Sequence, residues 1–388
     1  MSVHQKLEIK LHNWRVFDTQ KFALPSESFV LCDQNGSGKT SLTSAVYTLF
    51  TGQSWPNTKF QHNLRSEENY FGISTAFPDW SFTGQISSSG RIVTKFKKPS
   101  DFILKEWIPG CLVWPKIFTY LPTDNFWFYQ SRSNKLAILD NLLIQVYGDV
   151  YAKNILQLDK LVKSKSKLIK HYLENKNKVD EVLVQTLGQE IYVVSMDIWN
   201  IRRQFFSYLS GVIADYSRWI QSPFKNWECG WEITDKNGFR ENIKKPFVID
   251  KFTQIHGAYL DKINWIDLWK RETASGKVLF GAQRDDFFIT SKHKPVQEVL
   301  SRGEMRLLVL FIKKIGMDIF ITLFSQNSIS GKPFIFWFLD DVFNELDSER
   351  EQVFFKNVLS KSDYFLVTTT RPSGLKTSHL SLSDLQNF

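Results

Sequence analysis

The sequence contains few cysteines and no long apolar run. Its three cysteines, Cys32, Cys111 and Cys229, are isolated, so their spacing predicts neither a zinc site nor a disulfide framework. The longest apolar runs are six residues, 307–312 and 334–339, whereas a membrane-spanning helix needs roughly eighteen. The N-terminal residues mix charged and polar side chains, unlike the apolar core of a signal peptide. We therefore expect a cytoplasmic protein that does not enter a membrane and whose thiols pack in the core.

Length and composition indicate a large core and an anionic partner. The chain has 388 residues, enough for one large domain with an insertion or for two domains. Hydrophobic residues make up 43% of it, with 33 Phe and 13 Trp, which excludes wholesale disorder. Lysine and arginine number 49 against 40 acids, and the resulting charge of +9 favours an anionic partner without identifying it.

Residues 33–41 have the context of a phosphate-binding loop, because they follow an apolar run, Phe29–Cys32, and precede a helical pattern. Glycines let successive backbone N–H groups turn toward an anion, and the helix start adds its positive dipole end. Lys39 can reach terminal phosphates, and the Thr40 hydroxyl can bind Mg²⁺. We predict that a nucleoside triphosphate is bound by Gln34, Asn35, Gly36, Ser37, Gly38, Lys39, Thr40 and Ser41.

The usual pattern for such a loop begins with glycine, and here that position is Asp33. An aspartate at this position is expected to bring a carboxylate near the phosphate site. The alternative interpretation is a glycine-rich turn before an ordinary helix, but the motifs downstream favour nucleotide binding.

Paired acids end a second apolar segment. The run 334–339 predicts a strand covered on both faces, as in a parallel sheet, and Asp340 and Asp341 follow it. Burying two acids is unfavourable unless they meet a cation or share a proton. A lone acidic pair is usually structural, but in a chain with a phosphate loop we predict that Thr40 and Asp340 hold Mg²⁺. Asp341 and Lys39 are then the predicted catalytic residues.

A third motif lies just before the apolar helix that continues to about residue 315. Ser301 and Glu304 have the spacing of a capping box, in which each side chain satisfies the other's backbone N–H group. This pattern is explained by a well-capped helix alone. The functional interpretation is a second helix start directed at a phosphate, so that nucleotide contacts come from Ser301, Arg302, Gly303 and Glu304.

Two halves of one α/β ATPase are separated by a helical insertion. Lys39 and Asp340 are 301 positions apart, too far for a compact GTPase-like domain. Short alternating segments between residues 71 and 113 predict an antiparallel sheet. The period changes to 3.6 over residues 135–219, which predicts several long helices. We assign residues 1–134 to the first part of the ATPase lobe, 135–270 to a helical lobe, and 271–388 to the second ATPase part.

Lysines follow one face of the inserted helices, at Lys160, Lys163, Lys167 and Lys170. Such a face is usually only solvated. The functional alternative is a strip of cations that binds nucleic-acid phosphates.

The order and combination of these motifs resemble the RecF family, the SMC-like, ABC-class ATPases of recombinational DNA repair. The resemblance covers almost the whole chain and rests on residues 11–17, 34–40, 121–124, 139–140, 281, 284–286, 301–304, 339–341, 345–347 and 367–370. It implies an ABC-type split P-loop ATPase head, with a mixed or parallel sheet, an antiparallel subdomain and an inserted helical lobe.

The resemblance also implies ATP and Mg²⁺ as cofactors, with an ATP-dependent homodimer. Each nucleotide is expected between one subunit's phosphate loop and the other's Ser301 helix start. Duplex DNA at gaps, mediator proteins of the RecO and RecR type and the strand-exchange recombinase are the implied partners, with slow DNA-stimulated hydrolysis. Asn13 and Arg15 are expected near the adenine.

Several residues depart from the family pattern: Asp33 in the phosphate loop, residues 131–135 without paired arginines, Asn344 in place of a small residue, and Asp341 in place of the glutamate of many ABC ATPases. These departures leave three functional hypotheses. The first is a RecF-like, DNA-dependent ATPase, and the second is an ATP-binding DNA and partner scaffold with little hydrolysis. The third, which the helical insertion opposes, is a transporter-type ATP cassette.

Overall fold

The computed structural model describes residues 6–56, 58–75, 80–98, 114–175, 180–215, 227–234, 240–243, 264–326, 333–344 and 346–387. Cys111, Glu345 and the end of the predicted antiparallel segment, residues 99–113, lie outside these ranges. Within the ranges, no helix is both long and apolar enough to cross a membrane. Cys229 is a buried free thiol and Cys32 is half-buried.

The chain divides into two compact units. The first combines Met1–Pro122 with Phe324–Phe388, and the second is Thr123–Leu323. The first unit is thus assembled from two segments that are far apart in the sequence, as in the split arrangement that we expected. This division groups residues 271–323 with the helical segment, whereas we assigned them to the ATPase; the assignment of lobes to functions stays a prediction.

An antiparallel sheet in the first unit has the strand order β2-β1-β4-β5-β6. Its strands are β1 (Leu7–Trp14), β2 (Phe17–Leu24), β4 (Tyr70–Thr75), β5 (Ser81–Ile86) and β6 (Ile92–Lys97). Burial alternates along most of β1, so one face of the sheet packs on the core and the other meets solvent.

A second sheet in this unit is parallel throughout, in the order β14-β3-β13-β12-β7. Its strands are β3 (Phe29–Cys32), β7 (Lys116–Tyr120), β12 (Ile335–Leu339), β13 (Tyr364–Thr369) and β14 (Ser378–Leu380). Every residue of β12 is buried, which confirms the predicted strand covered on both faces. Because β3 and β12 are parallel and only β13 separates them, the phosphate loop and the two acids leave the same edge of the sheet.

Helix α1 (Lys39–Thr51) belongs to a core shared with both sheets. Ten consecutive residues, 41–50, are buried, so the helix has no solvated face. Its polar atoms are matched locally: the Trp14 Nε1 donates to the Ser41 carbonyl at 3.0 Å, and the Ser44 hydroxyl donates to the same carbonyl at 2.8 Å. Burial on all sides fixes the start of α1, and with it the phosphate loop.

The second unit is mainly helical, as predicted. Its helices are α2 (Arg132–Tyr147), α3 (Asp149–Asn175), α4 (Glu181–Val212), α5 (Trp265–Ser275), α6 (Val296–Val299) and α7 (Arg302–Gln326). It also contains an antiparallel sheet that we did not predict, β11-β10-β8-β9, formed by β8 (Trp227–Thr234), β9 (Arg240–Ile243), β10 (Asp286–Ser291) and β11 (Lys294–Pro295). The first unit is completed by α8 (Ser348–Asn357) and α9 (Leu382–Asn387).

A buried ion cluster fixes the second unit around Arg202. The guanidinium contacts Asp285 at 2.6 Å and Asp140 at 2.7 Å. Asp285 also accepts from the indole N–H groups of Trp199, at 3.0 Å, and Trp231, at 3.2 Å. Residues 140 and 285, both in motifs that carry the family resemblance, therefore hold α2, α4 and β8 together.

Candidate nucleotide-binding site

The phosphate loop needs glycine at two positions. Gly36 and Gly38 have φ values of 79° and 112°, in the left-handed region that favours glycine. A Cβ atom on Gly38 would lie 2.7 Å from the ring of Phe17, so a side chain is also excluded by space. The loop therefore turns tightly into the first turn of α1, where N–H groups have no partner within the helix.

Lys39 is positioned by the loop itself. Its Nζ donates to the carbonyl oxygens of Asp33, at 2.6 Å, and Gln34, at 2.7 Å. The side chain is buried against the loop, and its charge lies beside the N-terminus of α1. Both features favour an anion at this end of the helix.

Thr40 and Asp340, which are 300 positions apart, meet directly. The Thr40 hydroxyl lies 2.9 and 3.0 Å from the two carboxylate oxygens of Asp340. The Thr368 hydroxyl donates to the same carboxylate at 2.6 Å. Burial raises the pKa of Asp340 above its usual value, and the hydrogen bonds from Thr368 and Thr40 lower it.

Asp341 has an unusual backbone. Its φ is 56°, in the left-handed region, which aspartate tolerates better than most residues. Its N–H group contacts the Thr368 hydroxyl at 2.9 Å and the Thr368 carbonyl at 3.1 Å. The strained residue is thus held by β13, next to Asp340.

These residues line one cleft with a volume of about 170 Å³. Its lining residues are Val16, Asn35, Gly36, Gly38, Lys39, Thr40, Ser41, Asp340 and Asp341. A lysine and a helix N-terminus supply positive charge, and hydroxyl and carboxylate oxygens lie opposite. Mg²⁺ prefers such oxygen ligands and takes only one or two carboxylates when phosphates and water supply the rest. The set of ligands in the cleft fits Mg²⁺ held with a triphosphate.

Known proteins resemble this chain, in part or over nearly its whole length. Residues 7–68 match a family described as the P-loop containing region of AAA domain. DNA replication and repair protein RecF of Acholeplasma laidlawii is 24% identical over 368 residues, 94% of this chain and 93% of that protein. RecF of Geobacillus thermodenitrificans is 23% identical over 95% of this chain and 93% of its own length.

The chain is RecF-like. Among solved structures, the recombination mediator protein RecF with ATP, of the RecFOR pathway, superposes with a TM-score of 0.70 at 20% identity. The match covers 97% of this chain and 95% of that chain. The fold is that of an ABC-type split P-loop ATPase head.

In this RecF-like chain, Asp33 does not line the cleft. Its carboxylate accepts from the Gln34 N–H at 2.7 Å and from the Leu382 N–H, at the start of α9, at 3.3 Å. Its backbone does not adopt a positive φ, so this position does not require glycine. The Asp33 carboxylate is therefore bound by two backbone N–H groups, and its effect on a bound phosphate stays a prediction.

Asn13 and Arg15 both adopt left-handed backbone conformations, with φ values of 47° and 50°. The Asn13 amide donates to Glu68 at 3.0 Å. Burial lowers the pKa of Arg15, and the charge of Asp340 raises it, so the guanidinium lies within the electrostatic reach of the acid. Neither side chain lines the cleft, and their adenine contacts stay a prediction.

The four residues of the predicted second helix start lie in the second unit, at the beginning of α7. The Ser301 N–H and hydroxyl both contact the Glu304 carboxylate, at 2.9 and 2.7 Å, and the Glu304 N–H donates back to the hydroxyl at 3.3 Å. The predicted capping box is confirmed. The nucleotide contacts of Ser301, Arg302, Gly303 and Glu304 stay a prediction.

The four predicted DNA-binding lysines are exposed on α3. Two of them already pair within the helix: Lys163 contacts Asp159 at 2.5 Å, and Lys170 contacts Glu174 at 3.7 Å. This face is therefore less positive than the lysine count alone indicates.

Thr368 contacts both acids of the cleft, although the sequence predicted no role for it. The available signal was a hydroxyl residue at the end of an apolar strand, Tyr364–Thr369. Only the pairing of β13 beside β12 shows that this hydroxyl points at Asp340 rather than elsewhere.

Proposed function

We propose that this RecF-like chain is a DNA replication and repair protein that binds ATP and Mg²⁺ and dimerises with ATP on duplex or gapped DNA. The observation that supports this most directly is the contact of Thr40 with Asp340 beside Lys39, because it joins the two distant halves of a phosphate site. In the cleft, Lys39 and the loop N–H groups bind the phosphates, and Thr40 and Asp340 hold Mg²⁺.

The proposed dimer has two composite sites. The Ser301 helix start of one subunit caps the triphosphate held by the loop of its partner, so ATP joins the two subunits. An exposed N-cap serine at the positive end of a helix suits a phosphate of a second chain.

The proposed partners are duplex DNA, mediator proteins of the RecO and RecR type, and the recombinase that they help to load at gaps. The relatives named RecF and the RecF structure from the RecFOR pathway support this assignment. Exposed lysines at Lys160, Lys163, Lys167 and Lys170 support contact with DNA phosphates.

Slow, DNA-stimulated ATP hydrolysis belongs to the same proposal, with Asp341 positioning the attacking water. A second candidate, an ATP-binding scaffold with little hydrolysis, is favoured by one observation. Asp341 is one methylene shorter than glutamate and is held in a left-handed backbone conformation, which limits its reach. The transporter hypothesis is not proposed further, because the fold matches RecF over 97% of the chain.

The test is nucleotide binding by the wild type and by Lys39→Ala. Lys39 serves the phosphates and adds little to the core, so the variant should fold but lose ATP affinity by a factor of ten or more. Unchanged affinity would show that the loop is only structural. ATP turnover with and without gapped duplex then separates the two candidates: stimulation supports the ATPase, and binding without turnover supports the scaffold.

A further inference from the structure

The solvent face of the antiparallel sheet carries lysines that the proposed function has not used. We call this surface the sheet face and define it by Lys10 on β1, Lys21 on β2 and Lys95 on β6. All three are exposed. Among the described residues of the five strands, the face includes a single acid, Glu8.

The strand register aligns polar residues into two rows across the sheet. One row runs Lys21, Lys10, Ser74, Ser81 and Lys97, and the next runs Thr19, His12, Gly72, Thr83 and Lys95. Four inter-strand spacings give each row a length of about 19 Å. Duplex DNA carries about eleven phosphates over that distance along its axis.

The lysines that define the sheet face differ from those of α3 in their charge partners. In the described part of the chain, Lys10, Lys21 and Lys95 form no ion pair, in contrast to Lys163 and Lys170 on α3. Lys10 and Lys21 are also directly opposite each other in the register. Like charges in this position destabilise a sheet, and an anion between them removes the repulsion.

We propose that the sheet face binds the phosphates of duplex DNA; this inference rests on the proposed DNA-binding function. A face that presents both ammonium groups and hydroxyls suits a polyanion, because both bind phosphate oxygens. The described face presents two large exposed apolar side chains, Tyr70 and Val93, fewer than the aromatic-rich centre of a typical protein-binding surface. The contacts fix the position of the duplex and do not read its sequence.

The experiment measures the affinity of the full-length protein for a blunt duplex at several salt concentrations. The test variant combines Lys10→Gln, Lys21→Gln and Lys95→Gln. The control variant combines Lys356→Gln, Lys361→Gln and Lys376→Gln, which changes the net charge equally at positions of the first unit outside this sheet. A third variant replaces the four lysines of α3 with glutamine.

We expect the log–log salt slope to decrease in magnitude by about 0.9 for each lost phosphate contact, hence by two to three in the test variant. The control variant should keep the slope of the wild type, and all variants should keep ATP affinity. The test variant without DNA should melt no lower than the wild type, because the Lys10–Lys21 repulsion is removed.

A wild-type slope in the test variant overturns the sheet-face proposal but leaves the proposed function intact, and a reduced slope in the α3 variant alone then assigns DNA to α3. Failure of the wild type to bind duplex overturns both. If phosphatidylserine vesicles bind the wild type and not the test variant, while duplex binding is equal, the face binds lipid and the proposal is wrong. The ATP affinity of Lys39→Ala is measured in a separate experiment. A protein that does not bind ATP is thereby distinguished from one whose sheet face does not bind DNA.

Discussion

Thr368 connects both acids of the cleft to the neighbouring strand. Its hydroxyl donates to Asp340 at 2.6 Å, and its oxygen lies 2.9 Å from the Asp341 N–H. The hydroxyl thereby fixes the carboxylate that faces Thr40. Thr368 thus sets the geometry of the carboxylate that we propose as a Mg²⁺ ligand.

We expect Thr368→Val to weaken ATP binding about tenfold in the presence of Mg²⁺ and to leave binding without Mg²⁺ unchanged. A hydrogen bond to a charged group contributes about 1.5–3 kcal/mol, and part of that is recovered by relaxation. Calorimetric titration with and without Mg²⁺ measures both affinities. Thr370→Val is the matched control, because its hydroxyl contacts Asn344 at 3.1 Å and neither acid. Equal losses with and without Mg²⁺ would contradict the role assigned to Thr368.

Asp33 offers a second test at a single residue. Because its carboxylate is bound to the Gln34 and Leu382 N–H groups, we expect Asp33→Asn to change ATP affinity by less than about threefold. A carboxylate facing the phosphates would instead repel them, and its neutralisation would raise affinity by tenfold or more. Asp33→Gly should also keep affinity and lower the free energy of unfolding by about 1 kcal/mol, since two acceptor contacts are lost. Chemical denaturation and nucleotide titration of both variants distinguish these outcomes.

At the scale of elements, the second unit depends on an ion cluster with one cation and two acids. Arg202 contacts Asp140 and Asp285, so its single charge compensates only one of them. Burial raises the pKa of Asp285 to about 7, although Arg202 and two indole N–H groups lower it. Packing α2, α4 and β8 together therefore disfavours the ionised form of a buried carboxyl group.

Because of this cluster, we expect the free energy of unfolding to fall as pH rises. The folded pKa of Asp285 is above its unfolded value, so folding takes up a proton between pH 3.8 and about 7. Over this pH range, the free energy of unfolding of the wild type should fall relative to that of Asp285→Asn, by up to ~1.4 kcal/mol per pH unit. Above the folded pKa, the difference between the two proteins should stay constant. Urea unfolding of both proteins at pH 5, 6, 7 and 8 measures the trend. A constant difference across the series would show that Asp285 stays ionised in the folded protein.

At the scale of the whole molecule, the proposed dimer makes the second unit of one subunit complete the nucleotide site of the other. We expect Ser301→Arg to bind ATP as a monomer and to resist ATP-driven dimerisation, because the larger cation fills the space of the partner's phosphate. Light scattering combined with absorbance, which separates the protein mass from the DNA mass, should show two 45.4 kDa chains per complex for the wild type with ATP and gapped duplex, and one chain for the variant.

Ser381→Arg is the matched control for this variant. Ser381 caps α9 in the same way, donating to Asp384 at 2.7 Å, so both changes remove a capping serine and add an arginine. The loss of a cap lowers stability by about 1 kcal/mol in either case. If both variants dimerise like the wild type, the Ser301 helix start does not meet the partner's nucleotide.

The sequence by itself determined the parts of this protein that depend on local geometry. The glycines of the phosphate loop, the capping box at Ser301 and the apolar run before Asp340 each follow from short-range rules of backbone conformation, capping and burial. The order of these motifs was also enough to indicate the RecF resemblance and a split ATPase.

The tertiary structure alone decided which distant side chains meet. Strand order brought Thr368 to Asp340, the docking of α9 gave Asp33 a second N–H partner, and cross-strand register placed Lys10 opposite Lys21. The sheet β8–β11 was missed partly for the same reason, since its central strands β8 and β10 pair across about fifty intervening residues. Apart from the Lys10–Lys21 pair, which lies within one hairpin, these contacts join segments far apart in the chain, and no local pattern of residues encodes which segments pair.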